Sequence, residues 1–417
     1  MTYVWYNKAV RNLKAYRFRM VLCLLVSLEG RLILMMTSRE RILCVLEGGI
    51  PDTVPISPRI AYWLLEQKMT DLELKKVFDY DPIICVGCGL PGTWSAIYHY
   101  MQKNFPDSPY CKNVKLTETY ETKPGDPKQY LTRTFETPAG SLTEKLAIAP
   151  GGREYGMAPN PHYIEHMVKD RSDLEKMNYL LLDKKYFPKG KLKQIDESIG
   201  QEGLYMFRPH QGVDAMLADT IGVVNMLLLY YDDRELLKDA IQFYQNFYRT
   251  YLEYTLEQGI TMLFEAWYNA SLSTGWSPDM YRELFLPHIR DNVELTHRYG
   301  AYYHFYDDGK VMPVIEDLAD AGIDMITTLT PPPTGDVIPE IVKEKIGDRV
   351  VLSGYVDLVK MRFGTVEETI QMTKYAIEAM AEGGRFILGT SDSIRDGTPF
   401  ENVKAYFETG RKYGRYK

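Results

Sequence analysis

Residues 261–309 read TMLFEAWYNASLSTGWSPDMYRELFLPHIRDNVELTHRYGAYYHFYDDG, and the order strand, loop, helix, strand in that stretch decides the fold. The apolar run 261–264 closes on Glu265. The run 301–305 carries His304, with Asp307 and Asp308 just beyond it. Short apolar runs joined by a long amphipathic helix describe a parallel βαβ unit. Acidic and imidazole groups stand where each strand runs out, the end at which a barrel of such units places its chemistry.

The same alternation extends in both directions. Strands are predicted at 204–208, 261–265, 301–305, 324–328, 350–354 and 386–390, with earlier ones at 54–57 and within DPIICVGCGLPG (81–92). Helical stretches separate them at 213–230, 233–257, 278–298, 309–321, 335–346 and 365–382, and 399–413 closes the chain. Eight such units predict an α/β fold, a (β/α)8 TIM barrel over 37–417. A doubly wound open sheet is the competitor, disfavoured by the count and by the lack of an early Gly-rich phosphate loop. Residues 114–148 alternate Thr, Tyr and Phe with charge between Gly and Pro breaks. They predict an antiparallel sheet, part of a β-rich insertion at about 110–200 after the second strand, covering one mouth of the barrel. Residues 1–36 run from basic to apolar and break the pattern. They are too short and interrupted to span a bilayer, and read as an extension outside the fold, with a peripheral anchor as the alternative.

The composition is that of an ordinary globular enzyme, 45% hydrophobic and 25% charged over 417 residues. A net charge of −7 without a basic face argues against nucleic acid as a partner. Five cysteines, an odd and sparse set, imply no disulfide framework and a cytoplasmic location.

Several segments resemble the uroporphyrinogen decarboxylase superfamily. They are TSRERILCVLEGGIPDTVPI, HFYDDG, VIEDLADAGIDMI, VVLSGYVDL, GTVEETIQ and GGRFILGTSDSIRDGTPFENVKAY, in that order. The resemblance covers most of 37–417. It implies a (β/α)8 barrel with its site at the strand carboxyl ends, used either for metal-free porphyrin decarboxylation or for zinc-dependent, corrinoid-linked methyl transfer. The decarboxylase branch carries paired arginines in RQAGRY; here SPRIAYW offers only Arg59. Its catalytic aspartate position falls on Gly87 or Cys88, and its late histidine on Asp392. In the methyltransferase branch the zinc signature is His-x-Cys with a later Cys. Here His304 matches, while Tyr306 and Asp392 stand in place of the cysteines. Members that use two glutamates and a histidine match the separation of Glu283 from His304, with Glu265 upstream.

The resemblance therefore implies zinc held by His304, Glu265 and Glu283, with Asp392 or Cys88 in reserve, and a corrinoid on a partner protein, since no D-x-H-x-x-G module occurs here. Asp307 and Asp392 are the candidate catalytic acids. Arg59, His210 and Tyr306 are the candidate substrate-binding groups, Asp308 is assigned to capping, and Cys85 to the core. The expected activity is methyl transfer from a small methylated donor, first of all a methoxylated aromatic, to cob(I)alamin. The rivals are a metal-free decarboxylase or lyase, and a binding protein on the same barrel. No membrane is expected as a partner.

Overall fold

The computed structural model describes residues 35–151, 156, 159–209 and 212–416. The first 34 residues of the expected extension, and His210, lie outside them. Seven parallel strands form one curled sheet: β1 (Ile83–Gly87), β6 (Leu204–Arg208), β7 (Met262–Ala266), β8 (Tyr302–Tyr306), β9 (Met325–Thr328), β10 (Val351–Val356) and β11 (Phe386–Thr390), hydrogen-bonded in that order. The intervening β2 (Lys115–Thr122), β3 (Gln129–Thr137), β4 (Gly140–Ile148) and β5 (His162–Glu165) form a separate antiparallel sheet.

The expected first strand is not a ladder. Residues 54–57 touch β11 through one parallel bridge, Ile56 to Leu388, and Ile83 N–H donates to Ser57 Oγ on the other side. A buried ion cluster pins this segment. Asp81, fully buried, accepts from Ile56 N–H at 3.1 Å and from Arg411 at 3.1 Å, and pairs with Arg41, which also holds Asp52. Proline at 51 and 55 removes ladder donors and explains why a bridge replaces a strand. The architecture is thus barrel-like, with seven laddered strands rather than the expected eight.

Helix Ser38–Leu46 begins at a capping box, with Thr37 and Glu40 each satisfying the other's backbone N–H. Its Ile42, Val45 and Leu46 pack on Leu204, Met262, Met325, Val351 and Ile387. Four of these are the first residues of their strands and Ile387 is the second of its own, so the helix plugs the amino end of the curled sheet. The outer face of the sheet, including Phe207, Leu263, Tyr303, Phe305 and Leu352, joins the larger core beneath the surrounding helices.

Two expected helices are broken. The stretch 213–230 divides at Gly222 (φ 90°) into Val213–Thr220 and Val223–Asp232, since a left-handed residue cannot continue a helix. The stretch 278–298 divides at Phe285, because Pro287 lacks the N–H that would continue the first segment. Among the described residues no single helix is long and apolar enough to cross a membrane. The antiparallel sheet buries Phe135 and Leu142 in the same core as the helices. None of its described residues lines the mouth cavity.

Candidate active site at the strand ends

Side chains alternate between the two faces of a strand. On β7, Met262, Phe264 and Ala266 belong to the inner cluster and Leu263 to the outer core. The register pairs Phe264 with His304 and Glu265 with Phe305. His304 therefore faces inward and Glu265 outward.

The inward groups converge at the carboxyl end. Arg59 places its guanidinium 4.3 Å from the Tyr306 ring centre and 5.6 Å from that of Phe264, cation–π contacts worth about 1 kcal/mol each. Its charge faces Asp392 at 3.6 Å. Tyr306 Oη donates to Asp392 Oδ1 at 2.7 Å and to Asp308 Oδ2 at 3.3 Å, and Arg395 holds the other Asp392 oxygen at 3.2 Å. Burial and the neighbouring Asp392 push the Asp308 carboxyl above its usual range. Asp308 thus belongs to this cluster as well as to the turn before Lys310. His304 is 2% exposed, and its Nε2 lies 2.6 Å from Thr327 Oγ1. Burial, helped by Arg59, lowers its pKa to about 3, so the ring is neutral at physiological pH. Its Nδ1 is buried without a hydrogen-bond partner.

A cavity of about 330 Å³ opens beside this cluster. Tyr268, Ser271, Asp308, Asp357, Ser391 and Asp392 are among its walls, and Thr330, Pro331 and Thr334 of the TPPPTGD loop form the rim expected of them. Asp307 stands just behind the wall, 5% exposed, accepting from Gly309 N–H at 2.8 Å and sharing a hydrogen bond with the Ser271 hydroxyl. Burial pushes its carboxyl up to about 8, with Asp308 adding to the effect. Asp214, at the start of helix Val213–Thr220, is equally buried and raised to about 7 by desolvation.

Glu265 belongs to a different network. Asn292 Nδ2 donates to it at 3.0 Å, Tyr303 Oη donates to it, and Gln245 Nε2 holds Asn292 Oδ1 at 2.8 Å. Burial raises its pKa to about 8. The cation that a buried carboxylate would demand is absent from this network because the proton is retained. Glu283 is farther away still, on an exposed face with Lys238 at 2.9 Å, Arg234 at 3.6 Å and Tyr230 at 3.1 Å.

The expected zinc ligands are thus not brought together. His304 lies inside the sheet, Glu265 outside it and Glu283 on the surface, and no trio of His, Cys, Asp or Glu among the described residues could hold a metal. The cause is strand phase: one residue of register exchanges the faces. Cys88 is no reserve ligand. It is buried on the outer side, where desolvation raises its pKa and Tyr251 Oη donates to its carbonyl at 3.0 Å. Cys85, assigned to the core, instead faces inward and is exposed.

The structure brings Arg59, Tyr306 and Asp392 together, with Asp307 behind the wall. The sequence reading missed Ser271, Tyr268, Asp214 and Arg208. Arg208 carried a usable signal, a lone charge closing the apolar run LYMFR, which is the signal that singled out Glu265.

No curated protein matches the chain. A methyltransferase from Methanosarcina mazei superposes with a TM-score of 0.56 at 18% identity, over 91% of this chain and 99% of that one, and shows the fold. A D-psicose 3-epimerase from Clostridium cellulolyticum H10 (TM-score 0.33, 9% identity, 54% and 82% covered) and a putative vitamin-B12 independent methionine synthase from Listeria monocytogenes (0.35, 12%, 87% and 96%) are more distant, and nothing is built on them. Residues 215–413 match the family described as uroporphyrinogen decarboxylase (URO-D). They supply β7 to β11 and every wall of the mouth cavity, so the likeness to that family spans the candidate site and just under half of the chain.

Proposed function

We propose that the chain is a methyltransferase that passes a methyl group from a small methoxylated aromatic to the cob(I)alamin of a partner corrinoid protein. The observation that carries this reading is Asp307, a carboxyl that keeps its proton near neutral pH and is hydrogen-bonded to Ser271 in the wall of the mouth cavity. Phenolate and alcoholate are poor leaving groups, and a positioned general acid makes them good ones. As the methyl carbon leaves, the C–O bond pair stays on oxygen. That oxygen takes the Ser271 proton, and Asp307 replaces it. Asp308 and Asp392, tied to Tyr306 and Arg59, fix the aromatic wall against which the donor lies. No step is routed through zinc, because the described donors do not form its site. The likeness in fold to a methyltransferase supports the reading.

The test presents the protein with methoxybenzoates, methylamines and methyl thioethers together with free cob(I)alamin, and follows the corrinoid absorbance. Demethylation of a methoxyaromatic is the expected result. Turnover with none of them, or release of carbon dioxide from a carboxylated aromatic instead, would overturn it in favour of decarboxylation.

A further inference from the structure

The inner face holds a second polar corner that this chemistry does not use. On β1, Ile83, Cys85 and Gly87 point inward; on β6, Leu204, Met206 and Arg208 do. The register sets Cys85 against Met206 and Gly87 against Arg208. Gly87 is exposed, and a Cβ placed there would meet nothing within 4 Å. The space in front of Arg208 is therefore open. Among the described residues no carboxylate forms a salt bridge with Arg208, although the guanidinium is half-buried. Its hydrogen bond is to Tyr268, a wall of the mouth cavity. Arg59 also acts electrostatically on Cys85, so the thiol stands within reach of two guanidinium groups. A half-buried cation that forms no ion pair among the described residues, is offset by the electrostatic influence of the buried Asp214, and stands beside the open space at Gly87 suits an anion.

We propose that Arg208, together with Gly87 and Cys85, forms an anion seat that takes a carboxylate of the substrate. The seat rests on the methyltransferase reading only in naming the donor as a methoxylated aromatic carboxylate, and its test needs no turnover.

Cys85 reports on the seat. Iodoacetate brings a carboxylate to the thiol and iodoacetamide does not, so labelling of each cysteine by both reagents is read by peptide mass spectrometry. In free thiols the amide reacts faster. At Cys85 iodoacetate should win, while Cys44 and Cys111 keep the ordinary order. Arg208→Gln should lower the iodoacetate-to-iodoacetamide ratio at Cys85 by about tenfold, the equivalent of one charge-assisted hydrogen bond. Arg208→Lys, which keeps the charge, should retain most of the preference. 4-Methoxybenzoate should protect Cys85, and 4-methoxybenzyl alcohol should not. Faster labelling by iodoacetamide in the wild type, an unchanged ratio in folded Arg208→Gln, or equal protection by the neutral alcohol would overturn the seat. Failure of methyl transfer with a normal labelling pattern would overturn the activity alone.

Discussion

Glu265 and His304 stand on neighbouring strands only one register step apart, yet they live in two different regions. The outer region around Glu265 is closed, its carboxyl neutral and fully engaged with Asn292 and Tyr303. The inner region around Arg59, Tyr306 and Asp392 sets a guanidinium against a carboxylate and opens beside a cavity. The first arrangement serves packing and the second serves a ligand. A lone acid at a strand end is therefore not by itself a functional signal; the face it takes decides.

The contrast breaks most visibly at Glu265. Glu265→Ala should destabilise the fold by about 3–5 kcal/mol in urea unfolding, because Asn292 and Tyr303 lose their acceptor and a void remains. Glu265→Gln, which mimics the neutral acid, should cost about 1 kcal/mol. Neither should slow turnover per folded molecule; a folded Glu265→Gln enzyme without activity would erase the distinction between the regions.

Asp307 should behave oppositely. Asp307→Asn is expected to reduce kcat by about 10²–10³ with little change in midpoint, and to abolish a loss of rate that the wild type shows as pH rises through about 8. An unaltered alkaline limb in the variant would remove Asp307 from the chemistry.

The acids of both regions also link stability to pH. Glu265 and Asp307 have folded pKa values of about 8 and Asp214 about 7, all above the unfolded range near 4. The folded state binds the extra protons, so stability is greatest at about pH 4–5 and falls as pH rises toward 8. A decline across that window is expected in chemical denaturation. A flat or rising curve would mean that these carboxyls are ionised in the fold.

Two smaller effects sharpen the picture. Tyr306→Phe removes the hydroxyl shared by Asp392 and Asp308, and should raise KM by about tenfold at a stability cost of about 1 kcal/mol. Glu283→Gln should change stability by about 0.5 kcal/mol and leave activity untouched, as befits an exposed pair. A loss of turnover there would return Glu283 to the site.

Much of this was legible in the sequence. The runs LYMFR and FILGT are strands over the residues expected, and Thr37 with Glu40 announced the first helix. Apolar runs bounded by Gly and Pro are local signals, and local signals survive folding. What could not be read was relational. No property of TMLFE or AYYHF states that Phe264 pairs with His304, and that pairing sends Glu265 to the helices and His304 to the interior. Cys85 and Cys88 exchanged their expected roles for the same reason. Arg59 and Tyr306 were singled out because each closes a strand-like segment, and the structure brings the two together.

The plug made by Ile42, Val45 and Leu46 has a kinetic consequence. With the amino end of the curled sheet stoppered by apolar side chains, the cavity is a cul-de-sac. On the proposed function, donor and demethylated product would share one doorway, and product inhibition should be competitive with the methyl donor.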